Sequence, residues 1–382
     1  MQFQFSLPSS VAFAPGSSKT VGHLVLGLDV KKVLAIYDKG VKSAGIVDAI
    51  ASSLKAASLE VTEYDKITSN PFDVAIEECA GLARDAGIEA IVAVGGGSAI
   101  DAGKAVSILM ANESPINQYE GINLVKIPGP PVIAIPTTAG TASEVTSFTV
   151  VADSSRRKKM VIGGQNVGAR FALIDPLLTV SMPPLLTAET GMGAFSHAVE
   201  AYLSVAASVA ADINALKAIE LIAGNIAQAV ENGADVEIRS SVQLGSMLAG
   251  FAYNSAILGL AHSISHPLTV HCGLSHGMGN AAVLPHVMRF NSSFVTAKIR
   301  NIGHAMGLAV NQLPDDEAVQ MTIAAIADLS RRIGIPTLKE AGVSRESFDV
   351  VASDALTEIS TIFNPRNPKK DDVLRILENA FQ

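Results

Sequence analysis

The spacing of apolar residues changes near residue 180, and this change constrains the fold more than any other feature of the chain. Before it, short apolar runs such as KKVLAIY (31–37) and IEAIVAVGGGS (88–98) alternate with segments of helical spacing. Strands that are apolar on both faces and separated by helices indicate a parallel sheet covered on both sides. We therefore predict a Rossmann-like α/β domain over residues 1–182.

Helical periodicity dominates the rest of the chain. FSHAVEAYLSVAA, DINALKAIELIAGNIAQAVENG and VEIRSSVQLGSMLAGFAY carry apolar residues at helical spacing, and β-type alternation does not return. We predict an all-α domain over residues 183–382. A chain of 382 residues is long enough for two such domains.

Composition narrows the class of partner. The chain is 48% hydrophobic and 17% charged, with a formal net charge of −8, which argues against nucleic acid and anionic membranes as main partners. MQFQFSLPSS lacks the basic start of a signal peptide, and the longest apolar runs are too short for a membrane span. Two cysteines do not make a disulfide framework, so we expect a cytoplasmic protein. Because nucleic acid and membranes are disfavoured as partners, we expect a small-molecule substrate.

A glycine turn follows the apolar strand near residue 94. GGGS lets backbone N–H groups approach a phosphate at the start of the next helix, where the helix dipole adds partial positive charge. It does not match G-x-G-x-x-G, so a plain strand-to-helix turn is the competing interpretation. The candidate residues are Gly95, Gly96, Gly97 and Ser98.

Two further polar features are candidates for the same ligand. PTTAGTASE offers Thr137, Thr138 and Thr141 as donors to phosphate or ribose, or as helix caps. Asp38 ends the first strand of the α/β pattern, where a carboxylate can accept from ribose hydroxyls and repel a 2′-phosphate. It would favour NAD over NADP there, although a turn aspartate in YDKG is the simpler interpretation.

Four of the eight histidines fall within fifteen residues, at His262, His266, His271 and His276. Histidine is the commonest metal ligand and the usual proton carrier near neutral pH. His262 and His266 are four apart and share one face of a helix. With His276, and with His197 upstream, they can surround one ion if the chain turns back through GLSHG.

The chain as a whole resembles the iron-containing (group III) alcohol dehydrogenases, nearest the branch that acts on small alcohols and short diols. The matching stretches are GGGSAIDAGKA, IPTTAGTASEVT, DP at 175–176, MP at 182–183, TGMGAFSHAVEAY, GLAHSISHPL, LSHGMGNAAVLPHVMRFN and NPR at 364–366. The resemblance implies a dehydroquinate synthase-like architecture and NAD-dependent hydride transfer between small primary alcohols or short diols and their aldehydes. It also implies a divalent metal, Fe²⁺ or Zn²⁺, and a homo-oligomer, a dimer or higher.

The resemblance also assigns residues. It implies that the metal ligands are His197, His262 and His276, that His266 lies close to the metal and the nicotinamide, and that Phe148 and Tyr253 flank the substrate pocket. Our hypothesis is that His266 relays the hydroxyl proton, because histidine gains and loses a proton near neutral pH. The resemblance assigns the glycine turn to the pyrophosphate, the threonines to the phosphate and nicotinamide region, Lys159 to the ribose side, Asn70 to the adenosine half, and Asp38 to selection of NAD.

One position departs from the family pattern. Where the family reads T-G-M-D-A-L-T-H, with the aspartate as fourth ligand, this chain has Gly193. Three accounts stay open: three histidines that still hold an ion with an open position, a metal-independent reductase, and a catalytically impaired NAD-binding relative. Glu189, one turn earlier, would have to lean toward the ion to replace the aspartate, and we expect it to point away.

Overall fold

The structure is a computed structural model that describes residues 3–382. Two compact units divide the chain. The α/β unit comprises Leu7–Thr138 and Ala142–Ser181, and the helical unit comprises Met182–Gln382 together with residues 3–6 and Ala139–Thr141. The domain prediction assigned the last two segments to the α/β part.

The strands are β1 (Ser10–Phe13), β2 (Lys32–Ile36), β3 (Glu60–Tyr64), β4 (Ala90–Gly95), β5 (Gly121–Ile122), β6 (Val132–Pro136), β7 (Phe148–Asp153), β8 (Lys158–Gly163) and β9 (Phe171–Ile174). The helices are α1 (Val21–Leu26), α2 (Lys39–Ser43), α3 (Ile46–Ala56), α4 (Asp73–Ala86), α5 (Gly97–Ala111), α6 (Pro184–Leu203), α7 (Val209–Glu231), α8 (Val236–Ala256), α9 (Leu260–Cys272), α10 (His276–Asn291), α11 (Thr296–Ala305), α12 (Asp315–Arg332), α13 (Phe348–Ala355) and α14 (Lys370–Phe381).

A six-stranded parallel sheet forms the centre of the α/β unit, in the order β1-β9-β6-β4-β2-β3. Every residue of β4 and β6 is buried, as the apolar runs predict for strands covered on both faces. The predicted α/β architecture is confirmed. Because the strands are parallel, β2, β4 and β6 end at the same edge of the sheet, which brings the loops that follow them together.

A second sheet of three strands, in the order β5-β8-β7, lies apart from the first. The sequence TSFTVVAD has the composition of a strand, and as β7 it pairs antiparallel with β8 through a tight turn. A short hairpin connection allows only antiparallel pairing, whereas a place in the parallel sheet requires a long crossover. Periodicity identified the strand but could not choose its partner.

From residue 182 to residue 382, all of which the structure describes, helices are the only regular secondary structure. This confirms the predicted all-α part. Helix α6 is buried on nearly every side from Gly191 onward. Close packing requires small residues here: a methyl group added to Gly191 would lie 2.2 Å from Ile226 of α7.

No single helix among the described residues is long and apolar enough to span a membrane. Helices α8 and α9 meet these two criteria only when they are taken together, and they are bent by 105° relative to each other.

Hydrogen bonds account for the two short segments that join the helical unit. The Tyr253 hydroxyl on α8 donates to the backbone oxygen of Thr141 at 2.6 Å. The neighbouring Asn254 side chain donates to the backbone oxygen of Ser6 at 3.0 Å. Both contacts join residues more than 100 positions apart, so local periodicity gave no sign of them.

Candidate active site

The glycine turn, Gly95–Ser98, lies at the end of β4 and begins α5. Gly95 has φ of +150°, which favours glycine, and a methyl group there would lie 2.8 Å from the Cβ atom of Ala99. The backbone N–H of Thr137 donates to the Gly95 carbonyl at 2.9 Å, so the loop after β6 is joined to this turn. The N-cap residue, Gly96, has no side-chain acceptor, which leaves the first-turn N–H groups accessible to an anion.

Asp38 and Asn70 flank the same turn. Asp38 caps α2, accepting from the N–H of Val41 at 3.0 Å, and its second carboxylate oxygen would lie 3.4 Å from a methyl group on Gly95. The backbone N–H of Asn70, a residue with φ of +60°, donates to the Ser98 hydroxyl at 3.2 Å. The structure thus assembles Asp38, Asn70 and the glycine turn, which the sequence predicted to bind one cofactor.

One of the remaining predicted cofactor and pocket residues also lies at the glycine turn, and the others lie elsewhere. Thr138 packs beside Gly96, whereas Thr141 belongs to the helical unit. Lys159 is buried on β8 of the smaller sheet, close enough to Asp101 of α5 to act electrostatically on that carboxyl group. Phe148 begins β7, and its ring covers Gly163 of β8.

Three histidines converge within the helical unit. His197 lies on α6, His262 on α9, and His276 is the first residue of α10. Their candidate ligand nitrogens all lie within 4.8 Å of one another. The rings of His197 and His262 stack with centroids 4.6 Å apart, and those of His262 and His276 are 5.2 Å apart. His197 and His262 are buried and His276 is half-buried, and these three residues are the ligand set that the resemblance implied.

A buried carboxylate orients one of these rings. Glu200, one turn after His197 on α6, lies 2.5 Å from Nδ1 of His262. It also accepts the backbone N–H groups at the start of α9, those of Gly259, Ala261 and His262. A carboxylate on Nδ1 leaves the opposite nitrogen of the ring for an ion, which is the usual support for a metal-bound histidine.

His197 is held as a neutral base. Burial lowers its pKa well below the usual value, and the neighbouring His262 acts in the same direction. Its Nδ1 has no hydrogen-bond partner within the described chain. The ring of Tyr253 stacks on it with centroids 4.7 Å apart, so this predicted pocket residue packs directly on a candidate ligand.

Three histidines of the cluster, His266, His271 and His276, have distinct partners. His266 is buried on α9, 5.3 Å from the His276 ring, and its Nδ1 lies 3.0 Å from the Glu358 carboxylate. His276 has Asn280, one turn later, with its amide nitrogen 3.2 Å from Nε2. His271, which carries no predicted role, pairs with Asp354 near the surface at 2.7 Å.

Gly193 lies one turn before His197 and faces α10. A methyl group added to it would meet one atom within 4 Å, the Cα of Gly277, at 3.4 Å, which is ordinary contact. Glu189 does not fill the position, because its carboxylate accepts from the Ser275 hydroxyl at 2.7 Å. The side chain that would complete the family's ligand set is therefore missing, although there is room for it.

Sequence reasoning missed two groups. Glu358 has no motif around it and reaches His266 across 92 positions of the chain. Lys104 and Asp101 had a signal that was not used: two opposite charges three residues apart in an otherwise apolar helix, AIDAGKAVSILMA. Lys104 is completely buried, which such a residue tolerates only when its charge is satisfied.

Comparison with known proteins covers nearly the whole chain. Residues 8–176 match the family described as "Iron-containing alcohol dehydrogenase", and residues 187–381 match "Fe-containing alcohol dehydrogenase family, C-terminal". The chain is 36% identical to the NAD-dependent methanol dehydrogenase of Bacillus methanolicus and 37% identical to the 1,3-propanediol dehydrogenase of Klebsiella pneumoniae, with 99% of each chain covered. A crystal structure of 1,3-propanediol oxidoreductase is similar over 100% of both chains, with a TM-score of 0.97 and 37% identity.

Proposed function

The chain belongs to the iron-containing alcohol dehydrogenase family, whose members are oxidoreductases that interconvert alcohols and aldehydes, and we propose that it does so with NAD on small primary alcohols or short diols. The convergence of His197, His262 and His276 is the observation that carries this proposal. It supplies the centre at which the oxygen of an alcohol can be held.

The donor set fits a divalent cation such as Fe²⁺ or Zn²⁺. Three neutral imidazoles with one open position are a known catalytic arrangement for zinc, and burial keeps His197 neutral. Glu200 fixes the orientation of the His262 ring. A cation held by the three rings would polarise the alcohol oxygen and lower its pKa.

The α/β unit offers the groups that NAD requires. The first turn of α5 presents backbone N–H groups to the pyrophosphate, and the loop with Thr137 and Thr138 is joined to that turn. Asp38 beside Gly95 places a negative charge where ribose hydroxyls can donate and where a 2′-phosphate would be repelled. Lys159 and Asn70 complete the proposed set within this unit, and Thr141, which belongs to the helical unit, is proposed with them.

His266 is the proposed proton relay. Its Nδ1 lies against the Glu358 carboxylate, which holds the ring and leaves Nε2 to exchange a proton. Histidine is suited to this role because it gains and loses a proton near neutral pH. Phe148 and Tyr253 are proposed to limit the size of the substrate.

We place the reaction in the cytoplasm, because Cys79 and Cys272 are both free thiols. We further propose a homo-oligomer, a dimer or higher, as the family resemblance implies. Size-exclusion chromatography with light scattering measures its size directly.

The function is tested by NADH production from a panel of short alcohols and 1,2- and 1,3-diols, with the metal content of the purified protein measured in parallel. We expect turnover that a chelator abolishes and that Fe²⁺ or Zn²⁺ restores. If the purified protein contains no metal and the chelator leaves its turnover unchanged, the protein is the metal-independent reductase and the metal-assisted reaction is wrong. NADH binding without turnover on the panel would indicate the impaired relative.

A further inference from the structure

Helix α9, which carries His262, begins at a residue that cannot cap it with a side chain. This N-cap residue is Gly259. An α-helix leaves the first four of its backbone N–H groups without a partner in the helix. In α9 these are the N–H groups of Gly259, Leu260, Ala261 and His262. Two side chains from distant parts of the chain accept all four.

These two side chains are Glu200 of α6 and Asn364. Glu200 accepts from three of the N–H groups at 2.5–3.3 Å, and Asn364 accepts from that of Leu260 at 3.4 Å. Their approach to the backbone is close. A methyl group on Gly259 would lie 3.0 Å from the Glu200 carboxylate and 3.2 Å from the Asn364 side-chain oxygen. The first turn of α9 is therefore held between α6 and the segment that contains Asn364.

Asn364 is buried, and its amide makes all four hydrogen bonds that an asparagine side chain can make. Besides the Leu260 N–H, its oxygen accepts from the Asn291 amide at 2.9 Å. Its Nδ2 donates to Oδ1 of Asn291 at 2.8 Å and to the Arg366 carbonyl at 2.6 Å. Asn291 is the last residue of α10, the helix that begins with His276. Asn364 therefore joins the start of α9 to the end of α10.

The chain enters α9 through a backbone conformation that requires support. Ile257 has φ of +59° and ψ of −177°, a combination that branched side chains rarely adopt. Strained conformations of this kind persist only where the surrounding contacts fix the backbone. On one side the N–H of Ile257 donates to the Tyr253 carbonyl at 2.9 Å. On the other side Glu200 and Asn364 fix the chain from Gly259 onward.

Stabilising the helix would not require contacts of this range. An aspartate at the N-cap satisfies the first N–H groups locally, as Asp235 does for α8. A local cap moves with its own helix. Glu200 is 59 positions from Gly259, and Asn364 is 104 positions from Leu260. These two side chains therefore also fix where the first turn of α9 lies relative to α6 and α10.

The position of this turn determines where the ring of His262 lies. The other candidate ligands are His197 on α6 and His276 on α10. We infer that Asn364 is a positioning residue for His262: together with Glu200, it fixes the first turn of α9 relative to the two helices that carry the other histidines. This inference rests on the proposed assignment of the three histidines to a divalent cation. Asn364 itself does not contact the cation in this role.

The test is Co²⁺ binding by the wild-type protein, N364A and G259A. Chelator competition measures the affinity, and the visible absorption spectrum of bound Co²⁺ reports the geometry of its ligands. N364A removes the acceptor of the Leu260 N–H. G259A keeps both acceptors but displaces them, because its Cβ atom would lie 3.0–3.2 Å from them. G259A therefore decides the question if N364A does not fold.

We expect the Co²⁺ dissociation constant to rise about tenfold in each variant, the lower end of the usual effect of losing a group that orients a metal ligand. The visible spectrum should change, because the His262 ring is no longer held in one place. In the metal-free protein, hydrogen exchange should become faster in the amides of residues 260–262.

Asn112→Ala is the matched control. The Asn112 amide also joins separate parts of the backbone, since it donates to the carbonyls of Ile108 and Ile127 and accepts from the Ile127 N–H. It lies in the α/β unit. N112A should lower the melting temperature, leave the spectrum unchanged and keep the Co²⁺ dissociation constant within about twofold, as for an independent site.

Wild-type Co²⁺ affinity and an unchanged spectrum in folded N364A and G259A, with lower melting temperatures alone, would overturn the inference. A wild-type protein that binds no Co²⁺ would show that the proposed histidine site is wrong, and the inference with it. The wild-type titration therefore separates failure of the proposed function from failure of the inference alone.

Discussion

Gly193 on α6 lies opposite Gly277 on α10, and a Cβ atom on the first would be 3.4 Å from the Cα of the second. The two helices come this close because Gly277 itself has no side chain: a Cβ on it would lie 2.2 Å from the Glu189 carbonyl. His197 lies one helical turn after Gly193, and His276 is the residue before Gly277. Both histidines are candidate ligands. A side chain at position 193 would therefore enter the neighbourhood of the three histidines.

Gly193→Asp should tighten metal binding. A carboxylate at this position adds a charged ligand to three neutral imidazoles, and we expect the metal dissociation constant to fall by about tenfold or more. Chelator competition with Zn²⁺ or Co²⁺ measures it. G193A is the control, since it adds the Cβ atom and about 1 kcal/mol of helix propensity but no ligand. Equal affinities for G193D and G193A would show that position 193 does not face the ion.

Glu200→Gln should weaken metal binding and destabilise the protein. Glutamine brings an N–H₂ group to a place where Glu200 accepts from the backbone N–H groups of Gly259, Ala261 and His262 and contacts the ring Nδ1 of His262. We expect about a 10–100-fold loss of metal affinity, the usual effect of removing the partner of a bound histidine. We also expect a loss of about 1–3 kcal/mol in urea unfolding, because buried donors lose their acceptor.

Glu189→Gln is the control for this variant. It changes a carboxylate on the same helix that contacts the Ser275 hydroxyl and none of the three histidines. Metal affinity should stay at the wild-type value. If E189Q and E200Q lowered metal affinity equally, the cause would be the net charge of α6 rather than the contact with His262.

Asp38→Asn should relax the choice between NAD and NADP. Asparagine caps a helix about as well as aspartate, so the bond from the Val41 N–H is kept while the charge is lost. We expect the ratio of kcat/KM for NAD to that for NADP to fall by about tenfold, because a 2′-phosphate is no longer repelled. D48N, on exposed Asp48 of α3, removes an equal charge and should leave the ratio unchanged.

Glu144→Gln should change how stability depends on pH. Burial raises the pKa of Glu144 to about 7, above its value in an unfolded chain. The folded state then binds more protons than the unfolded state between about pH 4.5 and 7, so wild-type stability falls as the pH rises through this window. Glutamine cannot ionise, and the stability of E144Q relative to wild type should increase from pH 5 to pH 8 in urea unfolding. A constant difference across this range would contradict the prediction.

The fold could be predicted well from periodicity, and the site in part. Fully apolar strands such as β4 are buried on both faces, so their composition alone indicates a covered parallel sheet. The antiparallel partner of β7 was not predictable, because strands with the same alternation pair in either direction. Similarly, the spacing of His262 and His266 placed them on one helix face, but it did not indicate that Glu200 contacts His262 or that Glu358 contacts His266.

The sequence by itself determined which chemical groups are present and on which local element each lies: a glycine turn after a strand, histidines one helical turn apart, and no carboxylate at Gly193. Only the tertiary structure decided which atoms meet. Glu200 reaches His262 across 62 positions, and Lys104 reaches Ser143 across 39. Short-range spacing follows from backbone geometry, whereas these contacts depend on how whole helices pack, which single-residue patterns do not encode.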